Sequence, residues 1–188
     1  MTPTSPSMDA QTVAVRYDGT TILLHWLTAL LVLALFTLAV TWGLFERDTR
    51  KQLQSLHISL GILLAMVLVV RIAWRTTRGR RLPLAIEGLQ GKAARGMHYL
   101  LYALLALQVV LGFTWRWAQA ESFQFFGLVQ LQFATLHRAA LDDVLGELHD
   151  INGWTIVILA GLHAAVALVH RYVLKDGVLQ RMLGGSRA

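Results

Sequence analysis

The sequence predicts an all-α fold, a four-helix transmembrane bundle with both termini cytoplasmic. Three observations predict it. The chain of 188 residues is 55% hydrophobic and only 15% charged, with the charges gathered between apolar blocks. Four of those blocks approach or exceed the roughly 20 apolar residues that a helix needs to cross a bilayer. Lys and Arg are shared unequally between the connections, which sets the direction of the first span.

The elements follow in order. Met1 to Gln11 is polar and rich in Ser, Thr and Pro, so residues 1–15 read as a disordered tail. This tail lacks the basic stretch of a signal peptide, and the apolar block after it is too long for a signal core, so that block is expected to stay in the mature protein. The membrane domain covers 16–182, with spans at 20–45, 53–75, 96–117 and 150–172, and 183–188 form a C-terminal tail. Thr21 to Phe45 holds 25 residues without Asp, Glu, Lys or Arg; Leu53 to Val70 holds 18, Gly96 to Trp115 holds 20 and Ile151 to His170 holds 20. The third connection, Arg116 to Leu148, is the longest. Its Phe123, Phe125 and Phe126 fit either an amphipathic segment lying at the interface or a plain aromatic anchor.

Direction comes from the basic residues. Arg16, the second connection and the C-terminal tail carry 11 Lys and Arg, whereas the first and third connections carry 5. The positive-inside rule then places both termini in the cytoplasm. The formal net charge of +6 does not indicate a nucleic-acid binder, because these cations crowd between apolar blocks rather than covering a polar face. The absence of cysteine excludes disulfides, iron–sulfur clusters, a Cys-based zinc site and thioether-attached haem.

Chemistry is carried by the seven histidines. An ionisable side chain inside a span is costly and marks function by default, although a single one also serves as an interhelical hydrogen-bond contact. Depth separates them. His25 and His163 each lie about 12 Å inside the flanking charges Arg16 and Arg171. His57 and His149 lie close to Lys51 and Glu147, at the opposite ends of their spans. Each level thus receives a histidine from two helices. The fourth span links the levels, since His149 and His163 are 14 residues apart, about 21 Å along a helix and on nearly one face. Two bis-histidine haems are the simplest occupants. Two zinc or copper sites would want further ligands, and the spans offer no Cys and no carboxylate. That lack of carboxylates also weakens an ion or proton transporter.

Gly61 follows His57 by four residues, Gly153 follows His149 by four, and Gly43 shares the face of His25 five turns on. Such glycines fit either close approach to a porphyrin plate or ordinary small-residue helix packing. Arg71 faces the same way as His57 but at the cytoplasmic level, where a haem propionate or an interfacial snorkelling position would accommodate its charge. His170 is too shallow to match His25. His98 has no counterpart left over, and His137 lies in the third connection.

Leu24-His25-Trp26 opens the first span, and His57-Ile58-Ser59-Leu60-Gly61 opens the second, which closes in Arg71-Ile72-Ala73-Trp74-Arg75. His149 through Trp154 leads into Gly161-Leu162-His163-Ala164-Ala165 and His170-Arg171-Tyr172, followed by Lys175-Asp176-Gly177 and Arg181-Met182. In this order and spacing the motifs resemble the bacterial cytochrome b561 family of inner-membrane dihaem cytochromes, over Arg16 to Met182. Many relatives carry two adjacent histidines where this chain has His170-Arg171.

The resemblance implies a multi-pass protein of the bacterial inner membrane with two haem b. It implies His57 and His149 as iron ligands on the periplasmic side and His25 and His163 on the cytoplasmic side. It further implies electron transfer between the periplasmic face and membrane quinone, with ubiquinone as acceptor, because at least one type in the family oxidises superoxide that way. The expected partners are therefore membrane lipid, quinone, and a small anionic electron donor or a redox protein. Arg47, Arg50, Lys51 and Arg138 are candidates to steer an anionic donor, partly offset by Glu46, Asp48, Asp142 and Asp143. The alternative is a haem-bearing membrane anchor of a larger hydrogenase or dehydrogenase. A haem-free transporter or structural bundle is the third reading.

Overall fold

A computed structural model describes residues 16–80, 82–83, 88–132 and 137–183. The N-terminal tail 1–15 and the end of the C-terminal tail, 184–188, lie outside the described residues. The order of elements is α1 (Gly19–Thr41), α2 (Arg47–Thr77), α3 (Gly88–Gln119), β1 (Phe123–Phe125), β2 (Val129–Leu131) and α4 (Ala139–Val169). All four helices are long and apolar enough to cross a membrane. Their large apolar side chains point outward in numbers no soluble bundle tolerates: Leu23, Leu33, Val69, Val110, Ile158 and Leu162 are all exposed. The chain is a multi-pass helical membrane protein.

The buried core is thin and runs in two patches. Leu24, Leu31, Leu35, Leu64 and Val67 join α1 to α2. Leu68, Leu105 and Ile156 join α2, α3 and α4. Between α3 and α4 the contact is polar as well. Asn152, 7% exposed, donates from Nδ2 to the Leu104 carbonyl at 3.0 Å and to Gln108 Oε1 at 2.6 Å. Gln108 Nε2 then donates to the carbonyl of His149 at 3.1 Å. Inside a membrane such amide clasps satisfy groups that lipid cannot. They also pin the register of α4 at His149.

One carboxylate ties the start of α1 to the end of α2. Asp18 caps α1, accepting from the Thr21 N–H at 2.9 Å and the Thr21 hydroxyl at 2.7 Å, and it accepts Trp74 Nε1 at 2.9 Å and the Arg80 N–H at 3.0 Å. Burial pushes this carboxyl up, but the hydrogen bonds from Thr21, Arg80 and Trp74 outweigh it and hold it well below the usual carboxylate range. A carboxyl depressed on folding adds stability above its unfolded value of about 4 and loses it as pH falls from there. Thermal stability in detergent should therefore weaken below about pH 4, and Asp18→Ala should flatten that dependence while lowering stability at neutral pH. An unchanged acid slope in the variant would count against Asp18.

Helix boundaries differ from the sequence reading at the third connection. α3 runs on through Arg116 to Gln119, and α4 starts at Ala139, before the acidic residues Asp142, Asp143 and Glu147. The Phe-rich stretch has structure of its own. It is an antiparallel hairpin pairing Phe123 with Leu131 and Phe125 with Val129. Phe126 and Gly127 both take positive φ, 48° and 73°, as the tight turn between twisted strands requires. The hairpin docks on α2 through Ser59, which is fully buried. The Phe126 N–H donates to Ser59 Oγ at 3.0 Å and the Gln124 N–H to Ser55 Oγ at 3.3 Å. Phe123 is 4% exposed in the seam.

At the other end the C-terminal segment folds back. Trp26 Nε1 donates to the Met182 carbonyl at 2.9 Å, the Tyr17 N–H to the Arg181 carbonyl at 3.2 Å, and Arg181 Nη1 to the Pro83 carbonyl at 2.9 Å. This end gathers both described termini and the α2–α3 connection. The hairpin end carries the other two connections.

Candidate functional site

The structure brings His57 and His149 together near the hairpin end. Their ring centres are 6.3 Å apart with planes at 70°. His57 Nδ1 lies 3.0 Å from the Leu35 carbonyl of α1. A carbonyl only accepts, so Nδ1 carries the proton and Nε2 keeps its lone pair. His149 is held differently. Its Nδ1 is buried without a hydrogen-bond partner, which is unusual for a native polar atom and points to a ligand or a functional constraint. Each ring also meets an indole: Trp42 stands edge-on to His57 at 5.2 Å, and Trp115 lies tilted on His149 at 5.5 Å.

The second level sits nearer the terminal end and is built around a half-buried cation. Arg71 Nη2 lies 2.9 Å from His25 Nδ1, and its guanidinium carbon stands 4.9 Å from the centre of the Tyr102 ring. The charge foreseen at this depth has found an imidazole from α1 and an aromatic face from α3, rather than an aqueous position. The arrangement has a consequence for His25. Guanidinium only donates, so Nδ1 accepts and the ring proton sits on Nε2. Neither nitrogen then offers a free lone pair until Arg71 yields one.

His163 belongs to the same level, but the ring it touches is that of His98, at 5.2 Å between centres. His25, His98 and His163 lie within electrostatic reach of one another, and Arg71 reaches all three. His98 therefore does have a counterpart, contrary to the sequence reading. The missing signal was lateral: depth along a span says nothing about which helices are neighbours. The two histidines set aside elsewhere are occupied. His137 Nε2 pairs with Asp142 Oδ2 at 3.1 Å, and His170 Nδ1 pairs with Asp176 Oδ2.

The glycines divide. Gly61 is half-buried with nothing within 4 Å of where a Cβ would stand, so there is open space beside it. A Cβ on Gly153 would meet Gln108 Nε2 at 3.2 Å, which makes it a packing glycine of the amide clasp. Gly43 is exposed beyond the end of α1 with nothing near it, and its carbonyl accepts from Arg50 at 3.2 Å. Sequence spacing missed Gly112, where a Cβ would stand 3.2 Å from Cε1 of His149, and Gly146, where it would stand 2.9 Å from Cζ2 of Trp115. Arg50 is committed to capping the turn after α1 through the Gly43 and Phe45 carbonyls, both at 3.2 Å. Arg138 stacks on Trp117 at 4.5 Å.

The sequence profile of the family "Prokaryotic cytochrome b561" matches residues 16–185. The chain is 34% identical to "Cytochrome b561 homolog 2" of Escherichia coli, covering 91% of this chain and 93% of that protein. It is 29% identical to "Probable superoxide oxidase CybB" of Yersinia pestis over 92% of this chain and 98% of that one. It is 30% identical to "Cytochrome b562" of Cereibacter sphaeroides over 89% and 94%. Membership implies b-type haem, electron transport and the bacterial inner membrane. With a profile spanning nearly the whole chain and four spans that carry paired histidines, this chain belongs to the prokaryotic cytochrome b561 family.

Proposed function

We propose that the chain is a dihaem cytochrome that oxidises superoxide at the hairpin end, on the periplasmic side, and reduces ubiquinone. His57 and His149 hold the outer haem, and His25 and His163 hold the inner one. The observation that carries this reading is the outer pair, where His149 of α4 stands beside His57 of α2; at the inner level His163 of α4 stands beside His98 and within electrostatic reach of His25. The fit is clearest at the outer level. A metal bound about 2 Å from one nitrogen of each ring leaves opposed ring centres about 6 Å apart, against the 6.3 Å found. When bound, the two irons supply reversible one-electron uptake, which no side chain here provides.

The chain's residues do the rest. The Leu35 carbonyl selects the His57 tautomer that leaves Nε2 free to bind metal. Arg71 must leave His25 Nδ1 for that ring to ligate, which frees a guanidinium to meet a carboxylate at the same depth. Gly61 leaves room beside the outer level.

Superoxide as donor is supported by likeness to the Yersinia protein named for that activity. Charge gives the reading a sharp test. At the hairpin end Glu46, Asp48, Glu121, Asp142, Asp143, Glu147 and Asp150 outnumber Arg47, Arg50, Lys51, Arg116 and Arg138, and Arg50, Arg116 and Arg138 are already committed. The face as a whole does not attract a small anion, so superoxide must succeed by local access, and its reaction should quicken or hold steady as salt rises. The exposed carboxylates of α4 favour a second reading, docking of a redox protein through a basic patch, whose rate would fall with salt. The deciding experiment gives the purified chain, in nanodiscs with ubiquinone, enzymatically generated superoxide across a range of ionic strength. Superoxide-dependent quinol formation without a partner supports the first reading. Haem bands that reduce only with a protein donor would overturn it in favour of a membrane anchor.

A further inference from the structure

The two outer imidazoles are held by unlike means. His57 is fixed by a hydrogen bond from its ring to the Leu35 carbonyl. His149 has no such bond on Nδ1, so its backbone is pinned by Gln108 while its ring is oriented by packing alone. The packing partners are Gly112 and the indole of Trp115, both from α3. Trp115 itself is tightly constrained. Its Nε1–H donates to Asp142 Oδ1 at 2.6 Å, and Oδ2 of the same carboxylate meets His137 Nε2 at 3.1 Å. Behind the indole lies Gly146, with no room for even one added carbon: a Cβ would sit 2.9 Å from Cζ2 and 3.1 Å from Cε2. A rigid strut thus runs from His137, whose side chain is about half exposed, through Asp142 and Trp115 to the face of His149. No polar partner of this kind is found for Trp42, the indole on His57, among the described residues.

We propose that Trp115, clamped by Asp142 and seated on Gly146, is the positioning residue that sets the plane of the His149 imidazole, and through it the electronic character of the outer haem. The inference rests on the reading that His57 and His149 are the axial ligands there. The physical reason is orbital. Two axial imidazoles with nearly perpendicular planes leave the iron dπ orbitals close in energy, giving a strongly anisotropic low-spin ferric signal. Planes turned toward parallel split those orbitals and give an ordinary rhombic signal. If both rings kept the 70° they hold here on binding haem, the outer pair would fall in the first class. An aromatic plate locked by a charge-assisted hydrogen bond is a stiff means of holding a ring that has no hydrogen bond of its own.

The test is low-temperature EPR of the oxidised holoprotein, with haem-to-protein ratio measured on the same samples. Trp115→Phe keeps an aromatic plate but loses the N–H to Asp142. Asp142→Asn keeps the volume and weakens the clamp, and Gly146→Val pushes on the indole from behind. Trp115→Phe and Gly146→Val are each expected to move one low-spin signal and leave the other in place, at an unchanged haem ratio. Asp142→Asn should move the same signal by less. An unmoved spectrum in all three variants, or haem lost from both Trp115→Phe and Asp142→Asn, would overturn the proposal, because a residue that only sets a plane leaves ligation intact. The underlying ligand reading fails separately: His149→Ala would then retain both haems.

Discussion

His149→Ala is expected to lower the haem content by about one haem per chain and to leave the remaining haem with its native spectrum. The two levels on α4 stand about 21 Å apart by helical rise, and the residues around each are different. Near His149 lie His57, Trp115 and Gly112, whereas His163 has His98, with Arg71 in reach. Loss at one level therefore has no direct route to the other. His163→Ala should remove the other haem. His137→Ala and His170→Ala should keep both, since each ring is spent on a carboxylate. The most informative companion is His98→Ala. Retention of the inner haem there, with loss in His25→Ala, assigns His25 as the ligand and His98 as its neighbour. The opposite result would exchange them. The measurement is a haem-to-protein ratio with a reduced-minus-oxidised spectrum on protein that elutes as a single species. Loss of both haems from either α4 variant, or of neither, would count against two independent sites.

The sequence carried the spans and levels well because both are one-dimensional quantities. Length without charge defines a membrane helix, and the rise of about 1.5 Å per residue converts position into depth. His57 and His149, placed at one level on that basis, do meet across the bundle. Lateral neighbours were less legible. Nothing in the spacing of α3 says that its His98 turns toward α4, or that Arg71 of α2 finds His25 of α1. Absence of charge marks a membrane span and not the full length of the helix that carries it. Lack of charge places the fourth span at 150–172, and the helix that carries it begins about three turns earlier, at Ala139, with Asp142, Asp143 and Glu147 inside it. The hairpin was hidden for a related reason. Its signal is a tight turn at Phe126-Gly127 within a run whose three phenylalanines read first as a membrane anchor. The glycines followed packing rather than helical periodicity: Gly112 and Gly146 press on the outer level, while a Cβ on Gly43 would meet nothing.

Arg71→Leu is expected to lower the midpoint potential of the inner haem by tens of millivolts and to leave the outer one where it is. A cation buried near a redox centre favours the form with one more electron. At an effective dielectric of about 20 and a separation of about 8 Å, one unit charge is worth about 2 kcal/mol, or roughly 90 mV for a single electron. Arg71 qualifies by position. It is only half-accessible, belongs to α2 at the depth of His25, and has His25 Nδ1 and the Tyr102 ring as its immediate contacts. On the proposed ligation by His25 the guanidinium would have to release Nδ1, and a carboxylate of the porphyrin would be the partner of matching charge. Leucine would then leave that carboxylate bare, which pushes the potential the same way. Arg71→Lys separates charge from geometry. Lysine keeps the unit charge but not the planar fork, so most of the potential should survive while the inner haem binds less firmly. Potentiometric titration of both variants, following the two α bands separately, reads the effect directly. An equal shift at both haems would mean that Arg71 acts on the bundle as a whole, and no shift at the inner one would remove it from that site.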